Sequence, residues 1–359
     1  MPAGQTNRLA WNIATTGVSG AAWGTAEDIK LAKAGIRGVL DPGGPTRQAD
    51  DQEVTGHEYG AAVNYGGIDC APVISDMPMA YNHTWRMLSM FSDGDAVTDN
   101  GDGTYTHVMY AAQGTAPMRW MTIVEQIENA PSGTTVYREI NSAVGTRLVI
   151  AGTRGGLITG TLSLLADNCV AGSVNTAFTN VTWPATNSYP KFAAADADLF
   201  AINDQASAPA NLALNAFTLT IDAPREGGDH DSGSATIYEP DRSGMATCTL
   251  EIVLARYPGH TYLTDLQSGT AKCALFTFPT LTVNNESLLA TIKLPHLQYV
   301  ETPAPTSGAG KMGQTLSFKC VADDDTNDVA HSDAQTTGGV PWEVAVTNTD
   351  ATDYDTALS

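Results

Sequence analysis

Two stretches of the chain share one pattern, and any fold proposed for it has to accommodate both. Residues 79–93 (MAYNHTWRMLSMFSD) and 256–268 (RYPGHTYLTDLQS) each open a short run with a His-Thr-aromatic triplet, His83-Thr84-Trp85 and His260-Thr261-Tyr262. Apolar residues then fall at helical spacing, Trp85, Leu88 and Phe91 in the first and Tyr262, Leu263 and Leu266 in the second. The runs meet glycine at Gly94 and Gly269, and a β-rich stretch lies beyond each, at 107–111 (HVMYA) and 273–278 (CALFTF). The expectation is one helix–strand pattern used twice in tandem.

The rest of the chain extends the parallel. Residues 60–75 alternate as a strand interrupted at Gly66-Gly67, which reads as a bulge or hairpin. Residues 93–106 (DGDAVTDNGDGTYT) read as a hairpin tip built on Gly101-Asp102-Gly103, because Val97 breaks the spacing of a calcium loop and no Glu closes it. Strands are expected at 118–127, 135–150 and 160–167, with a turn at Gly155-Gly156, then again at 216–222, 247–254, 287–294 and 314–319. At a shift of 154 residues Gly156, Thr161, Leu162 and Ser163 fall on Gly310, Thr315, Leu316 and Ser317, and the elements occur in the same order in both halves. One last strand candidate, 341–347 (PWEVAVT), could complete a sheet of its own chain or of another subunit.

Composition narrows what such a duplicate can do. Charged residues are only 16%, with 34 Gly and 18 Pro, which favours strands and turns over long helices. The formal charge is −21, from 39 acidic and 18 basic residues spread along the chain. A protein that grips nucleic acid inverts that balance, because Lys and Arg supply the phosphate contacts. The five cysteines, Cys70, Cys169, Cys248, Cys273 and Cys320, are scattered without a CxxC pair and read as small buried hydrophobes. The first twenty residues lack a basic start and apolar core, and no apolar run approaches a membrane span, so a soluble protein made in a cytoplasm and touching no membrane is expected.

No nucleophile elbow, P-loop, HExxH or dinucleotide fingerprint occurs in the sequence. His83 and His260 sit at helix starts, where capping or packing explains them. Asp229-His230-Asp231 lies in a Gly/Ser-rich loop and reads as a solvated turn. Two carboxylates working on a sugar would be possible in any chain so acidic, but no residue pattern supports them, and an aromatic content of 7% is low for a sugar cleft. The sequence nominates no catalytic, cofactor-binding or metal-ligating residue, and a metal-assisted hydrolase rests on the Asp-rich loops alone.

The Trp23-Gly24-Thr25 element, the stretch from Phe192 to Ala197 leading to FTLTID at 217–222, and GLITGTLSLLAD at 156–167 resemble the tail tube (major tail) proteins of long-tailed bacteriophages, in the version with two fused tube domains. The resemblance implies a mainly β fold with two tandem β-sandwich or barrel domains, each with one short flanking α-helix, plus N- and C-terminal arms. The divisions are then an arm at 1–45, a first domain at 46–170, a linker or loop at 171–190, a second domain at 191–327 and a C-terminal segment at 328–359. It further implies a structural virion protein with no cofactor, whose partners are copies of itself, the tape-measure protein and other tail proteins. Homotrimeric rings of pseudo-sixfold symmetry would stack into a tube, assembled in the host cytoplasm. DNA would leave through an acidic lumen without specific binding, since anionic walls repel phosphate within a Debye length of about 8 Å. The alternative is another virion or surface structural β protein: a capsid decoration, baseplate or adhesin module.

Overall fold

A computed structural model describes residues 6–14, 39–41, 46–50, 64–82, 84–112, 119–128, 136–171, 199–205, 207, 210–226, 241–257, 259–283, 285–301, 313–322, 339–351 and 353–354. The first strands in chain order are β1 (Thr6–Ala14), β2 (Val39–Asp41), β3 (Thr46–Asp50), β4 (Asn64–Asp69), β5 (Val73–Pro78), β6 (Ser92–Asp99) and β7 (Tyr105–Ala111). Then come β8 (Trp120–Glu128), β9 (Val136–Thr153), β10 (Thr159–Ala171), β11 (Phe200–Asp204), β12 (Ala210–Asn211), β13 (Leu214–Asp222) and β14 (Arg225–Glu226). The last are β15 (Asp241–Arg242), β16 (Thr247–Leu254), β17 (Lys272–Thr277), β18 (Leu281–Val283), β19 (Glu286–Tyr299), β20 (Gln314–Cys320) and β21 (Glu343–Asn348). A 3₁₀ helix, Thr84–Phe91, precedes β6, and an α-helix, α1 (Thr261–Ser268), precedes β17. The fold is mainly β, and 17 strands belong to one antiparallel sheet.

Within that sheet one four-strand order occurs twice, as β2–β5–β10–β9 and as β13–β16–β20–β19. The pairing frames agree as well as the order. Ala143, Val144 and Gly145 of β9 face Ala166, Leu165 and Leu164 of β10. Adding 154 to each number gives Leu297, Gln298 and Tyr299 facing Cys320, Lys319 and Phe318, which are the pairs β19 and β20 make. At other shifts, 177 for the first strand of each set and 178 for the second, Val39, Leu40 and Asp41 facing Ser75, Ile74 and Val73 correspond to Ala216, Phe217 and Thr218 facing Val253, Ile252 and Glu251. Because a one-residue slip would turn every side chain to the other face, a shared frame means a shared inside and outside.

The two sets of strands close over one core. Trp85 meets Phe278 at 5.3 Å between ring centroids, and Phe276 meets Phe217 at 4.8 Å, so β17 lies over β13 although three strands separate them in the sheet. Tyr81 donates its hydroxyl to the Pro279 carbonyl at 2.6 Å, tying the segment before the 3₁₀ helix to the second half. Truncating a buried ring such as Trp85 costs about 3–5 kcal/mol in a core of this kind.

The helices depart from the expected matched pair. The first is 3₁₀, all eight of its residues are buried, and it ends at Phe91 instead of at Gly94, which lies inside β6. Its terminal carbonyls have no left-handed cap. Instead the buried Arg119 guanidinium donates to the Ser89 carbonyl and to the Ser92 carbonyl at 2.8 Å, which lets the chain pass directly into β6. The second is a regular α-helix with a half-buried face, and Gly269 caps it at φ 69°. The expectation of one flanking α-helix per half therefore holds only for the second.

Other expectations land closer. Gly66-Gly67 lie opposite Gln48, where the β3–β4 register shifts, so the bulge is present, while the break between strands comes later at Cys70. The 93–106 hairpin turns on Gly101 and Gly103, both at positive φ, and its aspartates serve the turn: Asp99 accepts from the Gly101 N–H and Asp102 from the Thr104 N–H. Two strands of the N-terminal 45 residues pair within the chain, β1 with β8 and β2 with β5.

The C-terminal strand β21 inserts between β7 and β19, joining the two halves edge to edge. Buried polar groups lock the residues just beyond it. His107 meets Asp95 Oδ2 at 2.7 Å through Nδ1 and the Asp350 carbonyl at 2.8 Å through Nε2, and it stacks on Tyr354 at 3.9 Å. Asp95 also accepts the Tyr354 N–H at 2.8 Å, while Asn348 donates to the Tyr81 carbonyl at 3.0 Å and to the Tyr354 hydroxyl. Burial of Tyr354 pushes its phenol well above the usual range, so it stays a neutral hydroxyl. Tyr354→Phe, which removes one accepted hydrogen bond, should cost about 1 kcal/mol in urea denaturation, and Tyr354→Ala, which also empties the ring's place, about 3–5 kcal/mol. Equal losses would show that the ring contributes nothing to the lock.

Candidate functional site

The feature that stands out is a sheet face. Strict alternation along β13 and β16 puts Phe217, Leu219 and Ile221, and Cys248, Leu250, Ile252 and Leu254, into the core. The intervening residues form the opposite face. The pairing aligns them into rows that cross the strands: Thr161, Val149, Thr220, Thr249 and Lys319 in one row, and Thr159, Ala151, Thr218, Glu251 and Ser317 in the next. A third row runs Ser163, Arg147, Asp222 and Thr247. These side chains are exposed or half-buried except Thr220, which is 7% exposed. Hydroxyls dominate the surface, and β-branched threonine suits a pleated strand with one wet side.

Charges in these rows balance. Arg147 and Lys319 stand against Asp222 and Glu251, and Arg147 Nε lies 3.3 Å from Asp222 Oδ1 across the β9–β13 pairing. The acid surplus of the whole chain, −21, therefore does not come from the residues named in these three rows.

The face is continuous because β9 changes partners along its length. Its first half pairs with β8, and residues 147–153 pair with 216–222 of β13, so the first four-strand set is hydrogen-bonded directly to the second. Gly152 makes that approach possible. A Cβ there would stand 2.6 Å from the Phe217 ring, its cross-strand partner, so the missing side chain is the space the ring fills. The result is eight strands side by side, with β2 at one end and β19 at the other.

Residues considered for chemistry do not meet at this face. His260 is exposed and makes no capping hydrogen bond: its ring lies 2.8 Å from the Tyr257 hydroxyl and its carbonyl accepts the Thr264 N–H. His83, Asp229-His230-Asp231 and the 171–190 linker, apart from Ala171 itself, fall outside the described residues. Four of the five cysteines are buried as expected, but they are not isolated: Cys248 faces Cys320 in the β16–β20 register, and the Cys70 thiol reaches Cys169. The sequence had no signal for those contacts. It did carry one for the hydroxyl face, in the alternating threonines of FTLTID and TCTLEIVL.

Compared with known protein families, residues 4–320 match the family model described as phage tail tube protein. Among curated protein sequences nothing matches. No helix of the described residues is long and apolar enough to cross a membrane.

The β9–β13 joint predicts a graded response. Arg147→Ala or Asp222→Ala, which breaks an exposed pair, should lower unfolding free energy by less than about 1 kcal/mol. Gly152→Val forces the Phe217 ring aside and should cost about 1–3 kcal/mol or more. Denaturant titration of the three variants checks the order, and an ion pair worth more than the glycine would overturn this account of the joint.

Proposed function

We propose, from the premise that this chain belongs to the phage tail tube protein family, that it closes head to tail with copies of itself into a ring whose inner wall is the hydroxyl face, and that stacked rings form the conduit through which DNA leaves. Family membership makes it a structural protein of the virion tail that assembles with itself and other tail components. The tape-measure protein, which would occupy the bore before ejection, is one such component. On this proposal the halves are a duplication, with 1–45 as an arm, 46–170 and 191–327 as tube domains, 171–190 between them and 328–359 as the terminal segment.

The observation that carries the ring is the joint inside the chain. β9 of the first set receives β13 of the second, and the repeated frame makes β2 the counterpart of β13 and β19 the counterpart of β9. Among the described residues β2 has one strand neighbour, β5, and its counterpart β13 shows the joint such an edge makes; at the other end of the face the counterpart of 147–153 is 301–307, of which Glu301 alone lies within the described residues. An open edge invites pairing, and a heterologous contact of this kind either closes or runs on as a filament. Three chains would give six repeats and pseudo-sixfold symmetry. About 24 strands spaced about 4.8 Å and tilted about 40° make a backbone cylinder roughly 48 Å across, which leaves room inside the side chains for a duplex about 20 Å wide.

The wall chemistry suits passage. Nonspecific affinity for DNA comes from cations that displace condensed counterions, and a face on which Arg147 and Lys319 are balanced by Asp222 and Glu251 supplies no net cation. Over the three rows named above such a wall is rich in hydroxyls and balanced in charge. Sliding DNA meets neither a trap nor a strong barrier.

Negative-stain microscopy of the purified protein at high concentration should show rings or short tubes with threefold or pseudo-sixfold symmetry. Leu40→Pro removes a backbone donor from β2 and should yield a protein that melts close to wild type but assembles no rings. Rings from the variant, or a strictly monomeric wild type, would sink the proposal.

A further inference from the structure

Two cysteines far apart in sequence come together beside the long β9–β10 hairpin, and they differ in the ways that matter for thiol chemistry. Cys70 follows β4 and is fully buried. Its backbone bridges to Ala166, whose N–H donates to the Cys70 carbonyl at 2.8 Å, and the Leu164 N–H donates to the Pro72 carbonyl at 2.9 Å, so the segment is pinned against β10. Cys169, further along β10 and opposite Ile140, is half-exposed. The Cys70 thiol lies within hydrogen-bond reach of the Cys169 sulfur. Arg138, opposite Ala171 on β9, adds a positive charge nearby, partly offset by Glu125, with which it forms an ion pair.

We infer that Cys169 and Cys70 are a reactive dithiol that closes to an intrachain disulfide when the protein meets a low-molecular-weight disulfide, with Cys169 attacking and Cys70 resolving. The inference stands whether or not copies close into a ring, since every group it uses belongs to one chain.

The chemistry balances in two exchanges. Cys169 thiolate attacks one sulfur of oxidised glutathione, a mixed disulfide forms and one glutathione thiolate leaves. Cys70, deprotonated in turn, attacks the Cys169 sulfur and expels the second glutathione. Two protein thiols are oxidised, one glutathione disulfide is reduced to two thiols, and the two protons end on those thiols. The division of roles follows from the surroundings. The hydrogen bond from Cys70, helped by Arg138, holds the Cys169 thiol down at about 7 against the opposing effect of burial. A partly exposed, low-pKa thiol next to a buried second one is the arrangement of redox-responsive cysteines. The other cross-strand pair contrasts with it: burial, reinforced by Cys320, pushes the Cys248 thiol well up, so that pair is slow to exchange. A virion tail works outside the cell, where such a bond persists. It would tie the entry to wall strand β5 to the far half of the hairpin.

The test uses the full-length reduced protein with oxidised glutathione at neutral pH. Thiol titration should fall from five to three, and peptide mapping should recover Cys70 linked to Cys169. The oxidised protein should melt about 5 °C or more above the reduced one, because the bond closes a long loop. Cys70→Ser should stop at a mixed disulfide on Cys169, and Cys169→Ser should keep its four thiols. Alkylation of wild type across pH should modify Cys169 first, with a midpoint near 7. Five persisting thiols, a linkage mapped to Cys248 and Cys320, or a Cys169 that alkylates no faster than the rest would overturn the inference. The wild-type titration and map decide it even if a serine variant fails to fold.

Discussion

Every strand in this protein has to place its backbone donors and acceptors, and the structure is organised around where that requirement is met late. Hydrogen bonds between neighbours in sequence account for the hairpins β6–β7 and β9–β10. The architecture comes from pairings between distant residues: β9 with β13, β16 with β20, and β21 with both β7 and β19. Unpaired backbone groups in a buried setting cost free energy comparable to a lost hydrogen bond, so each of these edges needs a partner as surely as a core residue needs neighbours. Gly152 is where the demand is most visible. The wall is continuous at that point only because one residue gives up its side chain to an aromatic ring from the facing strand.

The same constraint explains the C-terminal segment. Without β21, the edges of β7 and of the first half of β19 would lie open side by side, one from each half of the chain. A strand inserted there satisfies both. The buried set of His107, Asp95, Asn348 and Tyr354 holds it in place with groups from β6, β7, β21 and the residues beyond it. Both ring nitrogens of His107 face oxygen atoms, the Asp95 carboxylate and the Asp350 carbonyl. Satisfied buried polar networks specify one geometry more sharply than apolar packing does, because any shift strands a group without a partner.

How much of this was legible in the sequence depends on the range of each interaction. β13 and β16 alternate cleanly, one face wet and one dry, and their bounds could be read to within two residues. The 154-residue shift, seen first in four identities, reappears in the β9–β10 and β19–β20 registers because a repeated frame preserves which residues turn inward. The illegible parts are equally specific. Apolar spacing in TWRMLSMF fits a helix but does not separate 3₁₀ from α, and the deciding partner, Arg119, lies 30 residues from Ser89. The cysteine contacts join residues 99 and 72 positions apart, and spacing carries no information about such pairs. Nor did total charge predict the wall, because charge is a sum over all surfaces while the face is a selection by register.

That last difference bears on the proposed ring, in which an acidic chain would line a passage for an acidic polymer. With 39 acidic against 18 basic residues, copies repel one another, and assembly must bring that repulsion close together. Screening limits its reach to about 8 Å at physiological salt, so charges on outer surfaces hardly reach the centre of a wide bore. In the ring proposed above, the side chains that would reach it are the alternate residues of the strands in the hydroxyl face, chiefly Thr and Ser with Arg147 set against Asp222. Hydroxyls keep such a face wet without net charge, and they hydrogen-bond to water as readily as to phosphate, so no position along the wall is preferred by the polymer. Register, by deciding which residues share a face, sets the charge of that face apart from the charge of the chain.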